Sequence, residues 1–200
     1  DARHLGVTVS GAALAKDEAR VTILGLPDRP GLVHALFGKI AAANIVVDMI
    51  VQNVATDGVA EVSFTVPASD LHETLAVARD AAHAIGAQGV THDPDVAKVS
   101  VVGLGMRTHV GVAAKMFNAL AEVGINIQMI TTSEIKISVL VSRAEGPEAL
   151  RAVHQAFELD RAPEDATTPF SPSGLAQGKP DLASSVEAVP AVTVDGAGME

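Results

Sequence analysis

The chain repeats itself, and that limits what it can fold into more than any other feature of its 200 residues. Val21-Thr22-Ile23-Leu24-Gly25-Leu26 reads like Val99-Ser100-Val101-Val102-Gly103-Leu104, and Ile45-Val46-Val47-Asp48-Met49-Ile50 like Ile125-Asn126-Ile127-Gln128-Met129-Ile130. Gly31 and Phe37 match Gly111 and Phe117 after a two-residue slip. A unit of about 80 residues has been used twice, so the fold must be a supersecondary pattern that can sit beside its own copy.

The first unit reads as strand, helix, strand, strand, helix and a short closing strand. Arg20 to Leu26 is β-rich and stopped by Pro27. Asp28 is then a candidate N-cap, with Pro30 in the first helical turn. Leu32, Val33, Leu36, Phe37, Ile40 and Ala41 recur at helical spacing up to Asn44, and a strand is expected over Val46 to Val54. Thr56-Asp57-Gly58 supplies hairpin chemistry before the alternating run Glu61 to Val66, which should turn Val62, Phe64 and Val66 toward the helices and its polar set away. Capped by Ser69 or Asp70, a second helix carries Leu71, Leu75, Ala78, Ala82 and Ile85, and Gly89 to His92 closes the unit. The pattern βαββαβ is a ferredoxin-like sandwich of sheet and helices, an α+β fold.

The second unit follows the same plan through Ile135, Ile137, Val139 and Val141, then a helix opened by Pro147 and carrying Leu150, Val153 and Phe157. No strand follows it. An unused β-like stretch, Val7 to Ala13, precedes the first unit. The simplest repair crosses this N-terminal strand over to complete the second sheet, which inserts the first unit into the second. The expected division is 1–19 as that strand, 20–93 as the first module, 94–161 as the second, and 162–200 as a Pro/Gly/Ala-rich tail without apolar period, read as disordered or as a linker remnant.

Composition removes several functions. Lys plus Arg number 14 against 24 Asp plus Glu, a formal charge of -10, so nucleic acid and anionic membrane surfaces are repelled. Trp and Tyr are absent and only five Phe are present, leaving few stacking platforms. With no Cys and seven scattered His, no metal site is expected. His72 and His83 read as solvated helix positions, and His109 as a loop position. The run Gly103-Leu104-Gly105 hints at a dinucleotide fingerprint but has Thr108 where a third glycine belongs. No apolar run is long enough to span a bilayer, no signal-peptide core follows Asp1, and the missing initiator Met suggests a fragment or processed chain; a cytoplasmic location is expected.

The segment from Gly25-Leu26-Pro27-Asp28-Arg29-Pro30-Gly31 through Asn44-Ile45 and Asp48-Met49-Ile50-Val51-Gln52-Asn53 resembles the start of an ACT domain. Together with Val99 to Met106, Gly124-Ile125-Asn126-Ile127 and Thr132-Ser133-Glu134-Ile135-Lys136-Ile137, it is similar to the regulatory region of aspartate kinases of the two-subunit type. The resemblance runs from about Val7 to Asp160 and implies two ACT modules that bind lysine, threonine or both at interfaces between modules. Such binding inhibits phosphorylation of aspartate by ATP in a separate kinase domain or subunit. Exposed sheet edges and ligand sites at interfaces favour a homodimer through the modules. With no Gly-x-x-x-x-Gly-Lys loop or kinase nucleotide-site motif in the sequence, no cofactor and no catalytic residue are expected in this chain. Carried onto this sequence, the effector-binding residues are Asp28, Gly31, Asp48, Gln52 and Asn53 in the first module, and Met106, Asn126, Ile127, Thr132, Ser133 and Glu134 in the second. One departure stands out: Val46 occupies the place of Asn126, where the family often has Asn in both units.

The residue chemistry suits such a ligand. The loop around Pro30 and Gly31 opens a helix whose unpaired N–H groups suit a carboxylate, and Asp28, Asp48 or Glu134 can meet ammonium groups while Gln52 and Asn126 add directional bonds. Asp28 serves equally well as a helix cap. Two rivals remain: an ACT pair sensing another amino acid for a different biosynthetic enzyme, such as acetolactate synthase, and a small ferredoxin-like enzyme. The second lacks any Ser/His/Asp or paired-carboxylate spacing.

Overall fold

A computed structural model of the chain describes residues 9–55, 57–104 and 110–160. Met106, Gly105, Thr108, His109, the strand residues Val7 and Thr8, and the tail from 161 onward lie outside the described residues.

Ten elements follow the repeat: β1 Val9–Pro27, α1 Leu32–Ala42, β2 Ile50–Val54, β3 Val59–Pro67, α2 Leu71–Ile85, β4 Gly89–Gly103, α3 Val110–Glu122, β5 Met129–Thr132, β6 Lys136–Ser142 and α4 Gly146–Ala156. The six strands among the described residues form one antiparallel sheet in the order β2-β3-β1-β4-β6-β5. The N-terminal half of β1 pairs with the far half of β4, Ala12 opposite Val101 and Leu14 opposite Val99, so it sits in the second module's sheet. Its C-terminal half runs between β3 and the near half of β4, with Val21 opposite Phe64 and Ile23 opposite Val90.

The short strands expected on either side of Lys16 and of Pro94 are thus joined. β1 is 19 residues long and β4 is 15. Ala15 to Arg20 contains neither Gly nor Pro, so nothing stops β1 there, and the join is absorbed by register shifts between Ala15 and Glu18 and between Glu18 and Arg20. Opposite the second shift lies Pro94, a residue without an N–H that a bulge tolerates. Arg143, in the turn between β6 and α4, fastens this crossover. Its Nε donates to the Lys16 carbonyl at 2.8 Å, Nη1 to Asp95 at 3.1 Å, and Nη2 to the Glu18 and Pro94 carbonyls at 3.1 and 2.7 Å.

Each module buries its own core between sheet and helices. Val21, Ile23, Val62, Phe64 and Val66 meet Leu36 and Ile40 of α1 and Leu75, Ala78 and Ala82 of α2, with Phe37 edge-on to Phe64 at 5.3 Å. In the second, Val99, Val101, Ile137, Val139 and Val141 meet Met116 and Leu120 of α3 and Ala149 and Val153 of α4. Alternation therefore sets the inward face as expected. Val62, Phe64 and Val66 are fully buried.

The opposite face is less open than alternation suggests. Thr22, Thr65, Ser100 and Ser138 are buried there. They are tolerated because they find partners: Thr22 and Ser63 hydroxyls lie 2.8 Å apart, Ser100 and Ser138 hydroxyls 2.7 Å apart, and the Met49 N–H donates to Thr65 Oγ1 at 3.0 Å. Ile135, expected to point inward, is exposed because β6 begins one residue later.

Two local readings are corrected. α1 is capped not by Asp28 but by Gly31, which takes φ 89° in the left-handed region and starts the helix only after Pro30. Gly pays little to adopt that conformation. Asp28 instead donates its backbone N–H to the Gly58 carbonyl at 3.0 Å, tying the loop to the β2–β3 hairpin. The strand expected from Val46 begins at Ile50, since Asn44 is left-handed at φ 57° and the chain regains the ladder only where Asp48 N donates to Thr65 O.

Candidate functional site

Several of the described residues singled out in the sequence lie on or beside the two outer strands, while Met106 is outside the described residues. Gln52 and Asn53 lie on β2 opposite Val62 and Glu61, and β2 is an outer strand, so its far edge has no ladder partner among the described residues. Thr132 lies at the end of β5, the other outer strand, opposite Ile137. Both edges are rimmed with exposed apolar side chains: Val46, Ile50 and Val54 on one, Ile130 and Ile135 on or beside the other.

In the first module Asp28 and Gly31 are exposed in the loop that opens α1, with Gly31 at its N-terminus, where backbone N–H groups point out of the helix. Asn53 lines a shallow cavity of about 380 Å³ together with Glu61, Gln88 and the turn at Gly25. Asp48 stands apart from these, and its carboxylate accepts a hydrogen bond from Nζ of Lys98 on β4, an ion pair across the module boundary.

In the second module Asn126 is exposed and Ile127 packs against the core, in the bend that leads to β5. Ser133 holds the β5–β6 turn: its N–H donates to the Lys136 carbonyl at 2.7 Å, and its Oγ accepts from the Lys136 N–H at 3.1 Å. Thr132 and Glu134 flank it, both exposed. The Ile135 carbonyl accepts from Gly103 N at 2.9 Å, which ties this turn to the end of β4.

Three polar residues that sequence reasoning passed over carry buried side-chain atoms without a hydrogen-bond partner. Glu18 is half-buried with Oε2 unpartnered, and burial raises its carboxyl above the usual carboxylate range; nearby Lys98 opposes the rise while Asp48 and Asp17 add to it. Arg20 Nε and Gln128 Oε1 are likewise buried without a hydrogen-bond partner. A signal existed: in the repeat Arg20 stands where the second unit has Lys98, and Asp48 where it has Gln128.

Comparison with known proteins gives this arrangement a family. Residues 20–83 match one ACT domain family and 99–157 a second. The aspartokinase of Pseudomonas aeruginosa is 51% identical over 152 residues, which are 76% of this chain and 37% of that protein, so the chain spans little more than a third of such relatives. Among solved structures, a chain of the aspartokinase alpha and beta subunits is 51% identical and 99% covered, with TM-score 0.70. The ligand-free regulatory subunit of aspartate kinase from Thermus thermophilus is 42% identical and 99% covered, with TM-score 0.71, and this chain aligns with it over 75% of its own length. Two ACT repeats, matched in one alignment to regulatory chains covered almost end to end, mean that this chain belongs to the regulatory, tandem-ACT family of aspartate kinase.

Proposed function

We propose that the chain is the amino-acid sensor of an aspartate kinase, binding lysine, threonine or both and thereby lowering phosphorylation of aspartate by a catalytic part outside these residues, in the cytoplasm. One observation carries the reading. Gln52, Asn53, Thr132 and Glu134 lie on or just beyond outer strands whose free edges are rimmed by exposed Val46, Ile50, Val54 and Ile130. An open edge with an apolar rim favours pairing with another strand, and a second copy of the chain supplies one with matching symmetry. The effector then lies between the edge of one module and the edge of its neighbour. There Gln52 and Asn53 face it from one side, Thr132 and Glu134 from the other, and the α1 N-terminus at Gly31 receives its carboxylate.

The division into modules at 20–93 and 94–161, with the N-terminal strand completing the second, belongs to the same proposal. Inhibition follows from differential affinity: effectors favour the arrangement that holds the kinase inactive, with a coupling of about 1 to 3 kcal/mol each. The two sites are not equivalent, because Val46 is 69% exposed where the second module presents the amide of Asn126. A site that lost such an amide binds the shared α-amino and carboxyl groups less tightly.

Isothermal calorimetry of the chain with lysine, threonine, methionine and leucine, singly and in pairs, tests the proposal. Saturable binding of lysine or threonine that weakens on Gln52→Ala or Thr132→Ala is expected. No binding of either amino acid by a folded dimer overturns it.

A further inference from the structure

The two outer strands, far apart in the order of the sheet, touch each other behind it. Met49, which leads into β2, and Met129, the first residue of β5, are 3% and 7% exposed and belong to one small apolar cluster with Val96 and Leu140, against which Val51 packs. This cluster is separate from both module cores. Val96 lies on β4 between Glu18 of β1 and Ser142 of β6, where β4 passes from one module to the other.

Beside the cluster, Asp48 reaches from the first module to Lys98 in the second, and the Lys98 side chain is only 16% exposed. Glu18 flanks this ion pair as a second carboxylate. The repeat places Arg20 and Gln128 in the equivalent positions, where Nε and Oε1 are buried and unpartnered. The boundary therefore holds one closed polar tie next to a packed methionine contact, and both begin at residues adjoining the strands that carry the candidate effector residues.

We infer that Lys98 is a positioning residue which, together with the Met49–Met129 cluster, couples β2 to β5 within a single chain, so that an amino acid held against one strand changes the affinity of the other. The physical reason is that a close-packed contact transmits displacement instead of absorbing it. Moving Met49 must either move Met129 or open a void, and moving Asp48 must carry Lys98 or leave a partly buried cation unpaired. The ligand part of this inference rests on the proposed function; the mechanical part does not.

Hydrogen–deuterium exchange on the full chain separates the two. Without ligand, Met49→Ala and, independently, Lys98→Met are each compared with the native chain, with unchanged exchange in α2 and α4 as the check on folding. Met49→Ala is expected to speed exchange in 129–134 as well as in 48–54, and Lys98→Met to speed it in both segments. A response confined to 48–54 in both variants overturns the coupling, whatever the chain binds. With lysine or threonine present, the native chain is expected to gain protection in both segments and Lys98→Met in one alone, with the affinity for a second amino acid altered about 5-fold or more only in the native chain. Protection of both segments in Lys98→Met equal to the native chain removes Lys98 from the coupling. If neither amino acid protects the native chain, the proposed function fails and the ligand-free comparison still decides the coupling.

Discussion

Replacing Arg143 by Met keeps the aliphatic stem and removes four hydrogen bonds from the point where the long strands change module. Three of the lost partners are the carbonyls of Lys16, Glu18 and Pro94, and the fourth is the Asp95 carboxylate. Asp95 is 73% exposed, so the ion pair itself contributes little. The carbonyls of Lys16 and Pro94 are reached at the surface and recover water when the guanidinium leaves, at a cost of about 0.5 to 1.5 kcal/mol each. The bond to the Glu18 carbonyl is partly buried and its loss costs about 1 to 3 kcal/mol. These terms share one side chain and do not simply add, so the expected loss is about 2 to 4 kcal/mol. The chain has no Trp or Tyr, which makes far-UV circular dichroism during urea unfolding the suitable assay. Arg143→Lys, one point charge without the planar fork, should recover only part of the loss. A midpoint shift worth less than about 0.5 kcal/mol for Arg143→Met would show that the crossover holds without its clamp.

Other substitutions probe separate parts of the same structure. Glu18 holds its proton more tightly folded than unfolded, so its contribution to stability is present in acid and lost as pH rises through the folded pKa. Glu18→Gln should therefore be more stable than the native chain near neutrality and equal to it in acid, read from urea midpoints in the two buffers. Phe64→Ala, which empties a fully buried site facing Phe37, should cost about 3 to 5 kcal/mol by the same assay. Gly31→Ala meets no steric obstacle, since nothing lies within 4 Å of the added Cβ. The left-handed φ of 89° alone should cost about 1 kcal/mol and loosen the α1 N-terminus, seen as faster amide exchange in its first turn.

By itself the sequence determined whatever depends on near neighbours. The duplication, the order of elements and the inward set Val62, Phe64, Val66 all follow from periods of two and 3.6 residues, which backbone geometry imposes whatever lies across the sheet. The missing last strand of the second unit was legible too, because an unpaired β-like segment at the N-terminus had only one vacancy to fill. The sequence named Gln52, Asn53 and Thr132 only through the family resemblance, and their place on outer strands came from the sheet order. Tertiary structure decided the rest. Whether β1 stops near Lys16 depends on Arg143 and Pro94, more than 75 residues away in the chain, and whether Thr65 and Ser138 face water depends on the segment ending at Met49 and on Ser100. Asp48 gives the clearest case: its chemistry suited an ammonium group, and the ammonium beside it in the fold is that of Lys98, 50 residues on. Charge pairing of this kind is set by distances in space, and a linear pattern carries it only through the repeat that matched Arg20 with Lys98 and Asp48 with Gln128.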